Sequence, residues 1–138
     1  MRIRIISYED VNEWILGKFA LKMQDRLTIK CSSVYQNITE LSGGNQQKVI
    51  IGKWLGVEPD LMIFDEPTKG IDVGTKSEIY EIMRKLAQEG KGIIMVSSEL
   101  PELLGVCDRI IVFKEGKINA TFSSSEATEE KIMLAATS

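Results

Sequence analysis

Histidine is missing from this sequence altogether. That removes imidazole acid–base catalysis, Ser–His triads and His-ligated metal centres from the chemistry the chain can perform by itself. Cysteine is scarce: Cys31 and Cys107 are the two. They form no CxxC pair and no disulfide framework, a usage that fits a reducing compartment. No apolar run approaches the ~20 residues that span a bilayer. The start, Met1-Arg2-Ile3-Arg4, lacks the long apolar stretch of a signal peptide. A soluble chain is expected, one that can still dock on a membrane protein.

Basic charge is not in excess either. The 17 Lys+Arg stand against 20 Asp+Glu, for a net charge of −3 and a pI of about 5.1. A general nucleic-acid binder would show a basic stripe. A local anion site stays open, because backbone N–H groups can supply one. What is present is ordinary for a globular chain: 138 residues, 43% apolar and 27% charged. One domain with a real core is expected.

Local patterns give the element order. Val11, Trp14, Ile15, Phe19 and Met23 recur at helical spacing and predict a helix over 8–26, with Ser7 and Asp10 as a capping pair. Residues 27–41 read as irregular. Ser42, two glycines and a helix to about Val57 follow, with Val49, Ile50, Trp54 and Val57 on one side. Leu61-Met62-Ile63-Phe64 is apolar on both faces, which suits a buried parallel strand. Thr75 and Glu78 predict a capping box for a helix over 76–89. Its buried stripe is Ile79, Ile82, Met83 and Leu86, and Gly90 ends it. Ile93–Val96 is a second buried strand. Ser98–Leu104 is a short helix with Pro101 in its first turn. Ile110–Phe113 is a third strand, and Glu115-Gly116 turns the chain into an antiparallel partner, Ile118–Phe122. A helix over 127–136 closes the order. The fold class is therefore α/β with a sheet at least partly parallel. Ligands in such sheets sit at the carboxyl ends of strands, where Asp65, Glu66 and Ser98 fall.

Three constellations can carry chemistry. In Leu41-Ser42-Gly43-Gly44-Asn45-Gln46-Gln47, Ser42 can cap the helix or present its hydroxyl outward. The glycines admit a close backbone or phosphate, and the helix start favours an anion. A plain Ser cap with a glycine-rich lead-in is the simpler alternative. Asp65-Glu66 ends an apolar strand. There Asp65 can hold Mg²⁺ through water and Glu66 can orient or deprotonate an attacking water. A solvated turn is the alternative. Gly70-Ile71-Asp72-Val73-Gly74, taken alone, is a glycine-rich turn.

Together, in this order and spacing, they form a pattern that resembles the C-terminal part of an ABC ATPase domain. Leu41–Gln47 is similar to the ABC signature, Leu61–Glu66 to the Walker B strand with its catalytic Glu, and Asp72 to the D-loop. The stretches LSGGNQQKV, DEPTKGIDVGTKSEIY and GIIMVSSELPELLGVCDRI resemble the second ATPase domain of the fused monosaccharide importers. The likeness runs from about residue 8 to 136.

The resemblance implies an incomplete P-loop NTPase domain. Residues 1–58 would be part of the helical subdomain, and 59–138 the C-terminal part of the core. A P-loop reads Gly, four residues, Gly-Lys, then Ser or Thr. None of Gly17-Lys18, Gly52-Lys53, Gly90-Lys91 and Gly116-Lys117 satisfies it. Relative to the family, the chain is expected to begin inside the helical subdomain and to lack the Walker A half. In such domains ATP is sandwiched between two copies. Ser42, Gly43, Gly44 and Gln46 would then face nucleotide held by a partner, while Asp65 (Mg²⁺ through water) and Glu66 would serve the chain's own missing P-loop. Ser98 occupies the switch position, where the family usually has His; an N-cap of the following helix is its alternative role. Mg²⁺ and ATP are implied for the complete domain, and neither is expected to bind the isolated chain.

Implied partners are a P-loop-bearing ATPase domain, transmembrane permease subunits and, indirectly, an extracytoplasmic sugar-binding protein, with no nucleic acid. The implied location is the cytoplasmic face of the membrane. Two other readings differ in class. One is the C-terminal lobe of a DNA-repair or structural-maintenance ATPase, which the charge of −3 and the lack of preceding heptads disfavour. The other is a non-catalytic interaction module. In the family fold the P-loop strand separates 93–96 from 110–113, so marginal folding, or collapse of these two strands together, is expected.

Overall fold

The computed structural model describes residues 13–137. The predicted Ser7–Asp10 cap and Val11 lie outside the described residues, and so does the side chain of Trp14. The element order is α1 (Glu13–Arg26), a 3₁₀ turn (Ile38–Glu40), α2 (Gly43–Leu55), β1 (Leu61–Asp65), α3 (Val73–Gln88), β2 (Gly92–Val96), α4 (Leu100–Val106), β3 (Arg109–Lys114), β4 (Lys117–Ser123) and α5 (Glu129–Thr137). The order matches the alternation read from the sequence.

Two compact units result. The first comprises the described residues up to Met62 together with Thr68–Ile93. Its core is Met23, Leu27, Ile29, Ile51, Leu55, Met62, Ile79, Ile82, Met83 and Leu86. The α3 stripe is buried as predicted, because positions 79, 82, 83 and 86 share one face of a 3.6-residue period. Gly90 (φ +89°) follows that helix in the left-handed conformation which glycine adopts without strain. Arg26, at the end of α1, pairs with Glu89 at the end of α3.

The buried face of α2 departs from expectation. Ile50, Trp54 and Val57 are exposed, while Gly44, Lys48, Ile51, Gly52 and Leu55 are buried. Gly52 packs against Leu27 and Met23, and a Cβ there would meet them at 3.2–3.3 Å. Small residues and a paired lysine, rather than the bulkiest apolar ones, let α2 approach α1 and α3.

The second unit comprises Ile63–Pro67 and Ile94 onward. Ile110, Val112 and Ile132 form its core, covered by Leu100, Leu103, Leu104, Cys107, Ala120 and Phe122. β3 and β4 are antiparallel, with Ile110 opposite Phe122 and Val112 opposite Ala120; an irregularity follows at Val112/Phe113. The hairpin predicted at Glu115-Gly116 is therefore present. Half-burial, with Asp108 adjoining, pushes the Cys107 thiol above its ordinary value.

β1 and β2 pair with each other. Gly92 N–H donates to Asp60 O (2.8 Å) near one end and Glu66 N–H to Val96 O (2.9 Å) near the other. The strands therefore run the same way. Among the described residues β2 and β3 do not pair, so the expected collapse of one onto the other does not occur. Nor is either strand buried on both faces. In β1 Met62 and Phe64 are buried, while Leu61 and Ile63 are exposed. Ile94, Val96, Ile111 and Phe113 are exposed as well. Apolar side chains on both faces signal cover on both faces, and the described residues cover only one.

Candidate functional site

The residues singled out in the sequence fall into two clusters, one in each unit. In the first unit, α2 begins at Gly43 with Ser42 as its N-cap residue. The Ser42 hydroxyl makes no capping bond to the helix. It accepts a hydrogen bond from Asn45 Nδ2 (2.9 Å), whose Oδ1 accepts the Lys30 N–H (2.8 Å). The capping role considered for Ser42 is therefore not realised through its side chain. Gln46 Nε2 donates to Leu41 O (2.8 Å), which folds this side chain back along the helix start.

The glycines differ in purpose. A Cβ on Gly44 would lie 1.9 Å from Thr75 Cγ2. Gly44 is thus required by contact with the start of α3. A Cβ on Gly43 would meet nothing within 4 Å. Among the described residues no packing asks for glycine there.

The start of α3 carries Asp72. Asp72 is its N-cap: Oδ1 accepts the Thr75 N–H (3.0 Å) and Oδ2 the Thr75 hydroxyl (2.7 Å). These bonds from Thr75, side chain first, hold the Asp72 carboxyl below the usual carboxylate range. The predicted Thr75–Glu78 capping box is corrected accordingly. The helix starts three residues earlier than expected, since Asp can accept two hydrogen bonds from Thr75. Glu78 instead accepts from Lys48 Nζ (2.7 Å), which also donates to Thr28 O (3.0 Å). Lys48 is buried and Glu78 half-exposed. The hydrogen bond and charge of Lys48 lower the Glu78 pKa.

The segments around Ser42 and Asp72 thus touch directly within one unit, through Gly44 and Thr75. Asn45 and Lys48 lie within the LSGGNQQKV stretch, but its pattern assigns neither a role. The available signal for Lys48 was its place on the 44, 48, 51, 52, 55 face of α2.

A pH dependence follows. Both Asp72 and Glu78 are depressed, so their stabilisation is present above the unfolded values and lost as pH falls through the folded ones. The melting temperature of the chain is expected to fall progressively as pH drops through 4.5, the ordinary Glu value, and below it. Glu78→Gln flattens part of that slope. Circular-dichroism melts from pH 7 to 2.5 test this; parallel slopes for both chains would contradict it.

In the second unit, Asp65 ends β1, exposed, and Glu66 follows with φ +48°. Glu66 Oε1 accepts the Ser98 N–H (2.8 Å). The structure therefore joins Glu66 to residue 98 by the backbone rather than by the Ser98 side chain. The N-cap role considered for Ser98 is not observed: Glu99 is the N-cap residue of α4. Ser97 Oγ accepts the Glu99 N–H (3.0 Å) and donates to Glu102 (2.9 Å). Among the described residues no group of three or more His, Cys, Asp and Glu could cage a metal. Mg²⁺ bound with a nucleotide needs none, because it keeps waters and takes one or two carboxylates beside phosphate oxygens. Exposed Asp65 fits a contact of that kind.

A glycine-rich helix start packed on an Asp-capped helix and, in the other unit, a strand ending in Asp-Glu beside a backbone donor are set on an α/β fold. The chain belongs to the ABC transporter family, whose model matches residues 10–69. Its relatives are sugar-import proteins. It is 58% identical over 112 residues to the L-arabinose transport ATP-binding protein AraG of Geobacillus stearothermophilus, covering 81% of this chain and 22% of that protein. It is 59% identical over 115 residues to the D-allose import ATP-binding protein AlsA of Escherichia coli, covering 83% and 22%. With the ribose import ATP-binding protein RbsA of Bacillus cereus, identity is 55% over 120 residues, covering 87% and 24%. The chain thus spans under a quarter of the length of these relatives.

Solved cassettes share the fold. CbiO1 of Clostridium perfringens, part of an ABC transporter complex, superposes with a TM-score of 0.74 at 27% identity over 92% of this chain and 51% of that one. The ABC transporter cassette MJ1267 gives 0.75 at 23% identity, over 96% and 53%. The fold class expected from sequence, an incomplete ABC-type α/β domain, is the one observed. Among the described residues no helix is long and apolar enough to cross a membrane.

Proposed function

We propose that this chain is the signature-bearing, C-terminal portion of the second ATPase domain of a monosaccharide ABC importer. It couples ATP binding and hydrolysis to sugar uptake when a P-loop-bearing half completes it. Residues up to 58 are assigned to the helical subdomain and 59 onward to the core. The observation that supports this reading is an exposed helix start at Ser42 and Gly43 whose next residue, Gly44, packs on Thr75, the residue bound to Asp72, in a sequence without a P-loop. Because no packing among the described residues requires Gly43, its missing side chain suits a group arriving from outside, and a helix start favours an anionic one.

Ser42, Gly43, Gly44 and Gln46 then face the phosphates of ATP held by a partner domain. Asp65 and Glu66 act on nucleotide held by the chain's own complementing half. Asp65 would hold Mg²⁺ through water, and the ion would neutralise phosphate charge there. Glu66, oriented by the Ser98 N–H, accepts a proton from the attacking water. An apolar groove of about 440 Å³ in the first unit, lined in part by Leu16, Phe19, Val34, Tyr35 and Ile38, supports docking on permease subunits at the cytoplasmic face. The sugar-binding protein is then reached only indirectly.

The test is titration of Mg-ATP into the purified chain with direct detection of bound nucleotide. No saturation up to millimolar ATP is expected, which corresponds to less than about 4 kcal/mol of binding. Stoichiometric micromolar binding would show a phosphate site built without a P-loop, and the reading would fall.

A further inference from the structure

We propose that Lys48 is a positioning residue that locks the signature serine and the D-loop aspartate into one rigid block. Lys48 is 2% exposed. A lysine is rarely buried unless its charge is matched. Its ammonium donates to Glu78 (2.7 Å) on α3 and to the Thr28 carbonyl (3.0 Å) in the turn after α1. It therefore ties three segments at one point. Thr28 itself has φ +53°, so the turn that presents this carbonyl is fixed in an uncommon conformation.

The position of this tie gives it consequence. Lys48 lies one helical turn beyond Gly44 on α2, and Glu78 one turn beyond Thr75 on α3. Gly44 and Thr75 are in close contact, where a Cβ on Gly44 would come within 1.9 Å of Cγ2. Ser42 precedes the first of these by two residues, and Asp72 bonds to the second through both carboxylate oxygens. The Lys48–Glu78 bond thus closes the same helix pair one turn further along, and a pair held at two points cannot rock. Met at position 48 would fill similar volume but leave one point, about which the helix starts can pivot. Arg keeps the charge and the donors.

The inference rests on the reading that the chain donates Ser42 to nucleotide on a partner, and the test separates the two. Full-length wild type, Lys48→Met and Lys48→Arg are each mixed with a separately expressed P-loop-bearing ATPase domain of a sugar importer. ATP turnover is measured against ATP concentration. Hydrogen exchange of the Gln46 and Thr75 amides is followed in each chain alone. Lys48→Met is expected to lower kcat at least tenfold with KM within twofold, since the P-loop partner sets ATP affinity, and to speed both amides at least tenfold. Lys48→Arg is expected to restore most of each. A merely structural lysine would lower the melting temperature while leaving kcat per folded chain unchanged, and that result overturns the proposal.

If wild type fails to stimulate the partner, the donor reading falls. The lock is then judged on exchange alone: faster amides in Lys48→Met, recovered in Lys48→Arg, support it, and unchanged amides overturn it. Should Lys48→Met not fold, Glu78→Ala carries the same comparison, because it deletes the acceptor of the Lys48 ammonium at a side chain that is 46% exposed.

Discussion

Glu66→Gln is expected to cut ATP turnover about 10²–10⁴-fold in an assembly completed by a P-loop-bearing half, the usual worth of a positioned general base. The geometry makes this substitution informative. Glu66 Oε1 accepts the Ser98 N–H at 2.8 Å, and the amide oxygen of Gln can accept the same bond. Shape and orientation persist while the proton acceptor is lost. KM for ATP should therefore stay near its original value. Ser98→Ala should change little, because the backbone N–H does the orienting. Ser98→Pro, which deletes that N–H, should lower kcat without abolishing binding. Steady-state kinetics on the three variants decide the matter. A Ser98→Ala chain as impaired as Glu66→Gln would mean that the hydroxyl, not the main chain, acts on the nucleotide.

The second large effect concerns neighbouring glycines with opposite needs. Gly44→Ala drives a methyl to within 1.9 Å of Thr75 Cγ2, and overpacking of this kind costs about 1–3 kcal/mol. Thr75 cannot turn aside freely, since its hydroxyl is bound to Asp72. Removing the offending methyl with Thr75→Ser should recover most of the loss, because the hydroxyl and its bond remain. Gly43→Ala should behave in the reverse manner. Open space surrounds it, and Ala is favoured over Gly in a helix by up to about 1 kcal/mol. Its harm should appear only in turnover with a nucleotide-bearing partner. Urea melts of Gly43→Ala, Gly44→Ala and Gly44→Ala/Thr75→Ser check the stability side. An unrescued double variant would place the strain elsewhere.

The strand positions, the α3 stripe and the closing hairpin were all legible in the sequence. Each depends on a local period or a turn pair that neighbours do not override. The motif residues were legible too, but their partners were not. Ser42 reads as a cap because serine at a helix start usually is one; Asn45, three residues later, takes its hydroxyl instead. Glu78 reads as half of a capping box, yet Lys48 from another helix claims it. Ile50, Trp54 and Val57 read as a buried stripe because hydropathy marks bulk, whereas α2 packs through glycines and a neutralised lysine. In each case the competing partner is one that a pattern along the chain does not encode. The exposed faces of β1 to β3 are a different matter. The composition of Ile63, Ile94, Ile111 and Phe113 asks for cover that the described residues do not contain.

Glu66 sits at φ +48°, a conformation that costs an ordinary residue about 1–2 kcal/mol and glycine almost nothing. Pro67 follows directly and fixes the chain's exit. A library of this chain sorted for heat resistance alone should therefore enrich Gly or Asn at position 66. Those winners would lack the carboxylate that gives the position its use. The backbone at position 66 thus sets heat resistance against the carboxylate.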